Sequence, residues 1–280
     1  MFLKSTYNEL LKIAYKPRSY IGIGGIILII SLILFAFRLD GQIYISILTG
    51  QFEQSLSFEG TILNGNLIAY IILQMLIIHV PLLIAFVTGD LISGEAAMGT
   101  IRLLLTKPIS RTSILLSKFL ASCVYTSVVI ICLVIMSVVF GKLLFGTGDL
   151  IVLKSDGLIV FHEQDVTWRF FYGFLIAFLS LVTVASLALT LSCFSENSIG
   201  PIVSTMGIIL LFTIIGTLEV PVFDNIKPFL FTTHMAAWRY FFDDPLSIKQ
   251  IVYSICILVG HIIFLLLIAL YKFNKKDILS

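Results

Sequence analysis

Residues Phe170–Leu218 read FFYGFLIAFLSLVTVASLALTLSCFSENSIGPIVSTMGIILLFTIIGTL and contain a single charged side chain, Glu196. The charge divides two uncharged runs, Phe170–Ser195 of 26 residues and Asn197–Leu218 of 22. About 20 apolar residues cross the hydrocarbon core as a helix, and a charge at mid-span costs roughly 2.5–3.5 kcal/mol on insertion scales. The stretch therefore reads as two membrane-spanning helices with a polar turn, Ser195-Glu196-Asn197-Ser198, between them. A turn that short makes its helices antiparallel neighbours. Gly200-Pro201 falls at the start of the second helix, where a missing N–H is tolerated. Barrel strands would be about 10 residues long with alternating polarity, and these runs are continuous.

The same test applied outward finds four further charge-free runs of more than 18 residues: Ser19–Phe37, Gly60–Gly89, Phe119–Gly141 and Gln250–Tyr271. The next longest hold 12 and 11 residues, too short to span. The expected fold is an all-α membrane protein, one transmembrane domain over residues 1–280, with spans near 19–37, 66–88, 119–141, 170–194, 198–218 and 250–271. Composition agrees: 59% hydrophobic residues, 12% charged, and a mean hydropathy of +1.07. A soluble domain carries about 25% charge, so a soluble fold and a disordered chain are excluded and the lipid bilayer is the expected surroundings. A net charge of +2 gives no footprint for nucleic acid. Cys123, Cys132, Cys193 and Cys256 lie in or beside apolar runs without a CxxC pair, and read as buried hydrophobes. The first apolar run ends at Phe37-Arg38-Leu39-Asp40 without a small-residue cleavage site, so it reads as an uncleaved span.

Basic residues orient the chain. With the N-terminus in the cytoplasm, 11 of the 18 Lys and Arg fall inside, among them Lys4, Lys12, Lys16, Arg18, Arg102, Lys107, Arg111, Lys118 and Lys276, and 11 of the 16 acids fall outside. Both termini are expected in the cytoplasm. Before the first span, Leu3, Tyr7, Leu10, Leu11 and Ala14 recur at helical spacing opposite Lys4, Asn8, Glu9, Lys12 and Lys16, an amphipathic helix for the membrane interface ended by Pro17. Two β-rich runs around Lys154-Ser155-Asp156-Gly157 predict a small external β-hairpin at 150–161. The aromatic-rich segment between Pro228 and Pro245 predicts short outer interfacial helices, or a loop packed against its own helix ends.

No GxxxxGK[ST], HExxH or GxSxG motif and no zinc-ligand spacing occurs, so neither a catalytic residue nor a metal site is assigned. His79 and His261 are the histidines inside spans, and read either as pathway-lining polar groups or as hydrogen-bonded structure. The spans hold no deep charge, which argues against an ion-coupled carrier and a carboxylate-ring channel. Energy for uphill transport would come from outside the chain.

The most patterned soluble stretch is Gly89–Lys118, GDLISGEAAMGTIRLLLTKPISRTSILLSK. Glu95–Leu105 predicts one short helix across the membrane surface; Pro108 breaks it, and Ser110 caps the next helix, which begins near Arg111. The order Gly94-Glu95, Gly99-Thr100, Leu103-Leu104, Pro108-x-Ser110-Arg111 and Lys118 between spans two and three resembles the ABC-2 type permeases, the membrane subunits of ABC exporters. The likeness is to the single-chain bacterial permeases of the nitrous-oxide-reductase-maturation and bacitracin-resistance kind, and extends over the whole chain. One departure is Ala96-Ala97 after Glu95, where the family often has a basic residue.

The resemblance implies a permease in the bacterial plasma (inner) membrane, paired with an identical or paralogous second permease subunit and driven by two copies of an ABC ATPase. ATP and Mg would bind the ATPase, and this chain would hold no cofactor and be no enzyme. Gly94, Glu95, Gly99, Thr100, Arg102, Leu103, Leu104, Pro108 and Arg111 would form the coupling segment, with Glu95 and Arg102 making polar contacts to the ATPase. Gly22, Gly24 and Gly25 would allow close helix approach at the dimer. The alternatives are a membrane scaffold or sensor that binds an ATPase without transport, and an intramembrane enzyme, for which no paired catalytic set is found.

Overall fold

The computed structural model describes residues 2–49, 62–76, 79–106, 108–154 and 157–275. Among the described residues, six helices are long and apolar enough to cross a membrane. In chain order, α1 (Phe2–Tyr15) precedes the long α2 (Pro17–Thr49), which departs from helical geometry at Asp40. Then come α3 (Gly65–Leu76), α4 (His79–Thr88), α5 (Asp90–Ala97) and α6 (Thr100–Leu105). α7 (Arg111–Val134) continues through a π-helical segment (Ile135–Val139) into α8 (Phe140–Phe145). After the hairpin β1 (Leu150–Lys154) and β2 (Gly157–Phe161) follow α9 (Glu163–Phe194) and α10 (Ile199–Thr217). Short turns occupy α11 (Pro221–Asp224), a 3₁₀ turn at Lys227–Phe229, α12 (Phe231–Met235) and a second 3₁₀ turn at Ala237–Phe242, before α13 (Ile248–Lys275).

The helices outrun the charge-free gaps: Arg111–Phe145 and Glu163–Phe194 against the expected 119–141 and 170–194. A charge stops the hydrocarbon-compatible segment but not the helix, whose hydrogen bonds are its own. The second span differs more. Residues 66–88 are carried by α3 and α4, with Ile77 and Ile78 outside the described residues, and the apolar helical window runs instead from His79 to Ala97. Gly89 holds helical angles, φ −63° and ψ −22°, so α4 passes into α5 without a bend.

α9 is the central post, touching α4, α5, α7, α10, α12 and α13, and its apolar window is mostly buried. α10 and α13 pack on it, α2 packs on α4 and α7, and all three keep most of their apolar surface open. At the end of the bundle away from α1, Gly65 crosses Gly141 so closely that a Cβ on Gly65 would sit 2.4 Å from the Lys142 backbone nitrogen. Asn64 caps α3 by accepting from the Leu67 N–H at 3.0 Å, and Asn64 and Asn66 donate to the carbonyls of Asp149 and Gly148, both at 2.7 Å.

The hairpin forms as its β-rich runs predict, antiparallel with Leu150 opposite Phe161 and Lys154 opposite Gly157; Ser155 and Asp156 lie outside the described residues. It is tied to the last 3₁₀ turn. Lys154 pairs with Asp243, Phe161 meets Phe242, and Trp238 and Phe242 pack edge-on against Tyr70 at 5.4 and 5.0 Å. The aromatics of this segment are therefore mostly turned inward, with Trp238 and Phe242 fully enclosed.

Candidate functional site

The start of α5 is gripped by α9: the Ser192 hydroxyl oxygen accepts from the N–H groups of Ile92 and Ser93 at 3.2 and 2.9 Å. The Asp90 carboxylate folds back over Gly94, where a Cβ would come within 2.3 Å of Asp90 Oδ1. Held there, Asp90 pairs with Lys16 at 2.7 Å and Arg18 at 2.9 Å, the two cations at the junction of α1 and α2.

One turn further on, Glu95 faces inward. It pairs with Lys12 at 2.7 Å and with Lys118 of α7 at 2.9 Å. Glu9 completes a square, with Lys12 at 2.6 Å and Lys118 at 2.8 Å. Each cation meets both anions. Lys118 is wholly buried and donates as well to the Leu91 carbonyl at 2.9 Å. A buried ammonium is tolerated only when its charge and donors are matched in this way. Burial is the largest influence on Lys12 and lowers its pKa, but the hydrogen bonds and charges of Glu9 and Glu95 together outweigh it and raise the value above 10.5. The network thus joins α1, α5 and α7, segments up to 109 residues apart, into one unit.

The surface helix expected at Glu95–Leu105 is two helices. α5 stops at Met98, and Gly99 adopts φ +69°, the left-handed conformation that favours glycine, with its N–H bonded to the Ala96 carbonyl at 3.0 Å. α6 then packs on α5, and the Thr100 hydroxyl bonds the Glu95 carbonyl at 3.3 Å. The turn leaves Met98 63% and Leu103 69% exposed. Between α1 and α6 lies a groove of about 370 Å³ lined by Lys12, Tyr15, Met98, Thr100, Leu103 and Leu104, among others. Pro108 stands in the non-helical link before α7, whose first turn Ser110 caps by accepting from the Ser113 N–H at 3.2 Å. Lys107 and Lys276 lie outside the described residues.

The residues singled out from the sequence therefore separate. Gly99, Thr100, Arg102 and Leu103 are exposed, and Leu104 is half-buried. Glu95 is buried on the floor of the groove, its carboxylate paired with Lys12 and Lys118 of the same chain. Arg111 reaches across to the end of α13, donating to the carbonyls of Phe273 and Asn274 at 3.4 and 2.9 Å. Gly22 is filled by its own bundle, where a Cβ would meet Tyr125 Oη at 2.6 Å, whereas Gly24 and Gly25 face open space. His79 and His261 each form a hydrogen bond with the carbonyl four residues back, Met75 at 3.0 Å and Ile257 at 2.9 Å.

From the sequence, Glu9 and Lys12 read as the polar face of α1, and Asp90 and Lys118 as ends of the patterned stretch, and neither reading predicts that they pair; the readable signal is a Lys at the very edge of a long apolar run, facing acids in two neighbouring segments. Among the described residues no group of three or more His, Cys, Asp or Glu is placed to hold a metal ion.

A family model described as "Protein of unknown function (DUF2705)" matches residues 27–279 of the chain. The chain is also 28% identical over 199 residues to "Uncharacterized protein YhcI" of Bacillus subtilis (strain 168), a match that spans 69% of this chain and 62% of the relative's length.

Proposed function

The chain belongs to the DUF2705 family, and, since that description assigns no activity, we propose one from the site: the chain is the permease subunit of an ABC-2 type transporter, driven by a separate ATPase. On this reading the ion network and the α5–α6 turn lie in the cytoplasm, and α1 lies in the inner interface of a bacterial plasma membrane. The hairpin and the short turns before α13 lie outside. Two permease subunits and two ATPase copies make the working unit; ATP and Mg are bound by the ATPase. The outcome of ATP hydrolysis is export of a substrate or work on an extracytoplasmic process.

One observation carries the reading. The α5–α6 turn offers an exposed apolar tip, Met98 and Leu103, on a base fixed by ion pairs to α1 and α7 and by Ser192 to α9. A tip on a compliant loop would absorb a push; a tip on this base transmits it to the spanning helices. Glu95 belongs to the base, so its role is to stiffen the lever, and the partner contact passes to Met98, Arg102 and Leu103.

The test is affinity purification of the full chain from its own host membranes. An ABC ATPase should co-purify, be lost on Leu103→Asp, and hydrolyse ATP in a vanadate-sensitive way in the complex. Absence of any such ATPase, or retention indifferent to Leu103→Asp and Met98→Asp together, sinks the proposal.

A further inference from the structure

The ion pairs beneath the α5–α6 turn do not balance. In the square, Lys12 and Lys118 face Glu9 and Glu95, two charges against two. Beside it, Asp90 alone faces both Lys16 and Arg18. Four cations therefore meet three carboxylates, and one positive charge is left over. The excess is also one-sided. All three carboxylates are buried, whereas the side chains of Lys12, Lys16 and Arg18 are 43%, 30% and 40% exposed. What the cluster shows to its surroundings is cation.

Two of these cations open onto the groove between α1 and α6, where Lys12 and Lys16 stand with Met98, Leu103 and Leu104. An ammonium has three donors. Lys12 spends two, on Glu9 at 2.6 Å and Glu95 at 2.7 Å, and Lys16 spends one, on Asp90 at 2.7 Å. The α1 side of the groove thus keeps unspent N–H donors, and the α6 side presents the exposed Leu103 beside Met98. Excess positive charge next to apolar side chains is complementary to a carboxylate next to an apolar side chain. The apolar walls are the tip of the turn itself, so an occupant of the groove meets the tip and the cations together.

We propose that this groove receives, from the partner ATPase, an aspartate or glutamate flanked by an apolar side chain. The carboxylate accepts from Lys16 and Lys12, and the apolar side chain packs on Met98 and Leu103. The inference rests on the ATPase reading above; it adds the acid that the partner carries and Lys16 as the residue that recognises it. Lys16 can share its charge with a newcomer because Asp90 keeps Arg18 at 2.9 Å.

Carbodiimide coupling in native membranes reads the contact directly, since it joins a carboxylate to an ammonium where the two form an ion pair. Peptide mass spectrometry of the complex should find Lys16 or Lys12 joined to an Asp or Glu of the ATPase, besides products within the chain. Lys16→Gln leaves Asp90 paired with Arg18, so the melting temperature should hold. ATPase binding should weaken about tenfold, as loss of a charge-assisted hydrogen bond implies, and lose part of its salt dependence. Lys16→Arg should restore both. An ATPase that is lost on Leu103→Asp but binds Lys16→Gln as it binds the wild type, with coupling products only within the chain, overturns the acidic contact and leaves the ATPase reading standing. If Lys16→Gln instead loses bound phosphatidylglycerol in native mass spectrometry while ATPase binding is unchanged, the groove belongs to a lipid headgroup and the proposal falls. If no ATPase accompanies the chain at all, the ATPase reading fails first and takes this inference with it.

Discussion

Lys118 shows how much one side chain carries. Its ammonium neutralises Glu9 and Glu95 at 2.8 and 2.9 Å while wholly out of solvent. Lys118→Met leaves both carboxylates to the partly exposed Lys12 and is expected to cost about 3–5 kcal/mol, read as a lower melting temperature in detergent. Adding Glu95→Gln should return part of the loss, because the stranded charge goes with it; a double variant less stable than the single would show that the charges are not the cause. Gly94→Ala acts on the companion pair. Its methyl displaces the Asp90 carboxylate from 2.3 Å, and overpacking of this kind costs about 1–3 kcal/mol. Lys12 sets a pH boundary. Its pKa is raised on folding, so its stabilising contribution is complete below pH 10.5 and is lost as pH climbs through the folded value. Melting temperature should therefore show no loss from this group between pH 6 and 9.

The elements were legible where their signals are local. Helical periodicity gave α1, the Asp-Gly pattern gave the hairpin, and Ser110 gave the start of α7. Gly99 was also readable as a helix stop after Ala96-Ala97-Met98, and its φ of +69° shows why one helix became two. What periodicity could not say is which face of α1 meets protein. The buried side is Ser5, Thr6, Glu9 and Ile13, packed on α7, while Leu3, Tyr7 and Tyr15 stand 76%, 63% and 83% exposed. Lys4, Asn8 and Lys12 are exposed as well, so α1 offers one face to protein, one apolar face and one charged face, which suits a helix bordered by both lipid and water. A nitroxide placed at position 7 or 11 in lipid nanodiscs should be accessible to oxygen and one at position 5 protected; equal accessibility would return α1 to water. The α3–α8 crossing has no sequence signal beyond two separated glycines, Gly65 and Gly141, because a close approach is a property of the pair.

At the scale of the molecule, local runs of charge predict how many helices there are and say little of their arrangement. Pairs such as Glu9 with Lys118 or Ile92 with Ser192 join residues about a hundred positions apart, and no spacing rule reaches that far. The arrangement that results is asymmetric. The apolar window of α9 is mostly buried, whereas α2, α10 and α13 keep broad apolar faces open. Lipid can cover such faces, and so can a second copy, but small residues favour the copy, because they let backbones approach where lipid gains nothing extra. The glycines of α2 separate these roles. Gly22 is blocked by Tyr125 within the chain, whereas nothing lies within 4 Å of the Cβ positions of Gly24 and Gly25. A paired permease built through this face should form cross-linked dimers in native membranes when Gly24→Cys is introduced into a chain whose own four cysteines are replaced by serine. Gly22→Cys in the same background should stay monomeric, its side chain facing α7. Cross-linking from neither position would leave α2 to lipid and move the subunit contact to α10 or α13. Equal cross-linking from both would mean that α2 rotates or unpacks from Tyr125 when two chains meet.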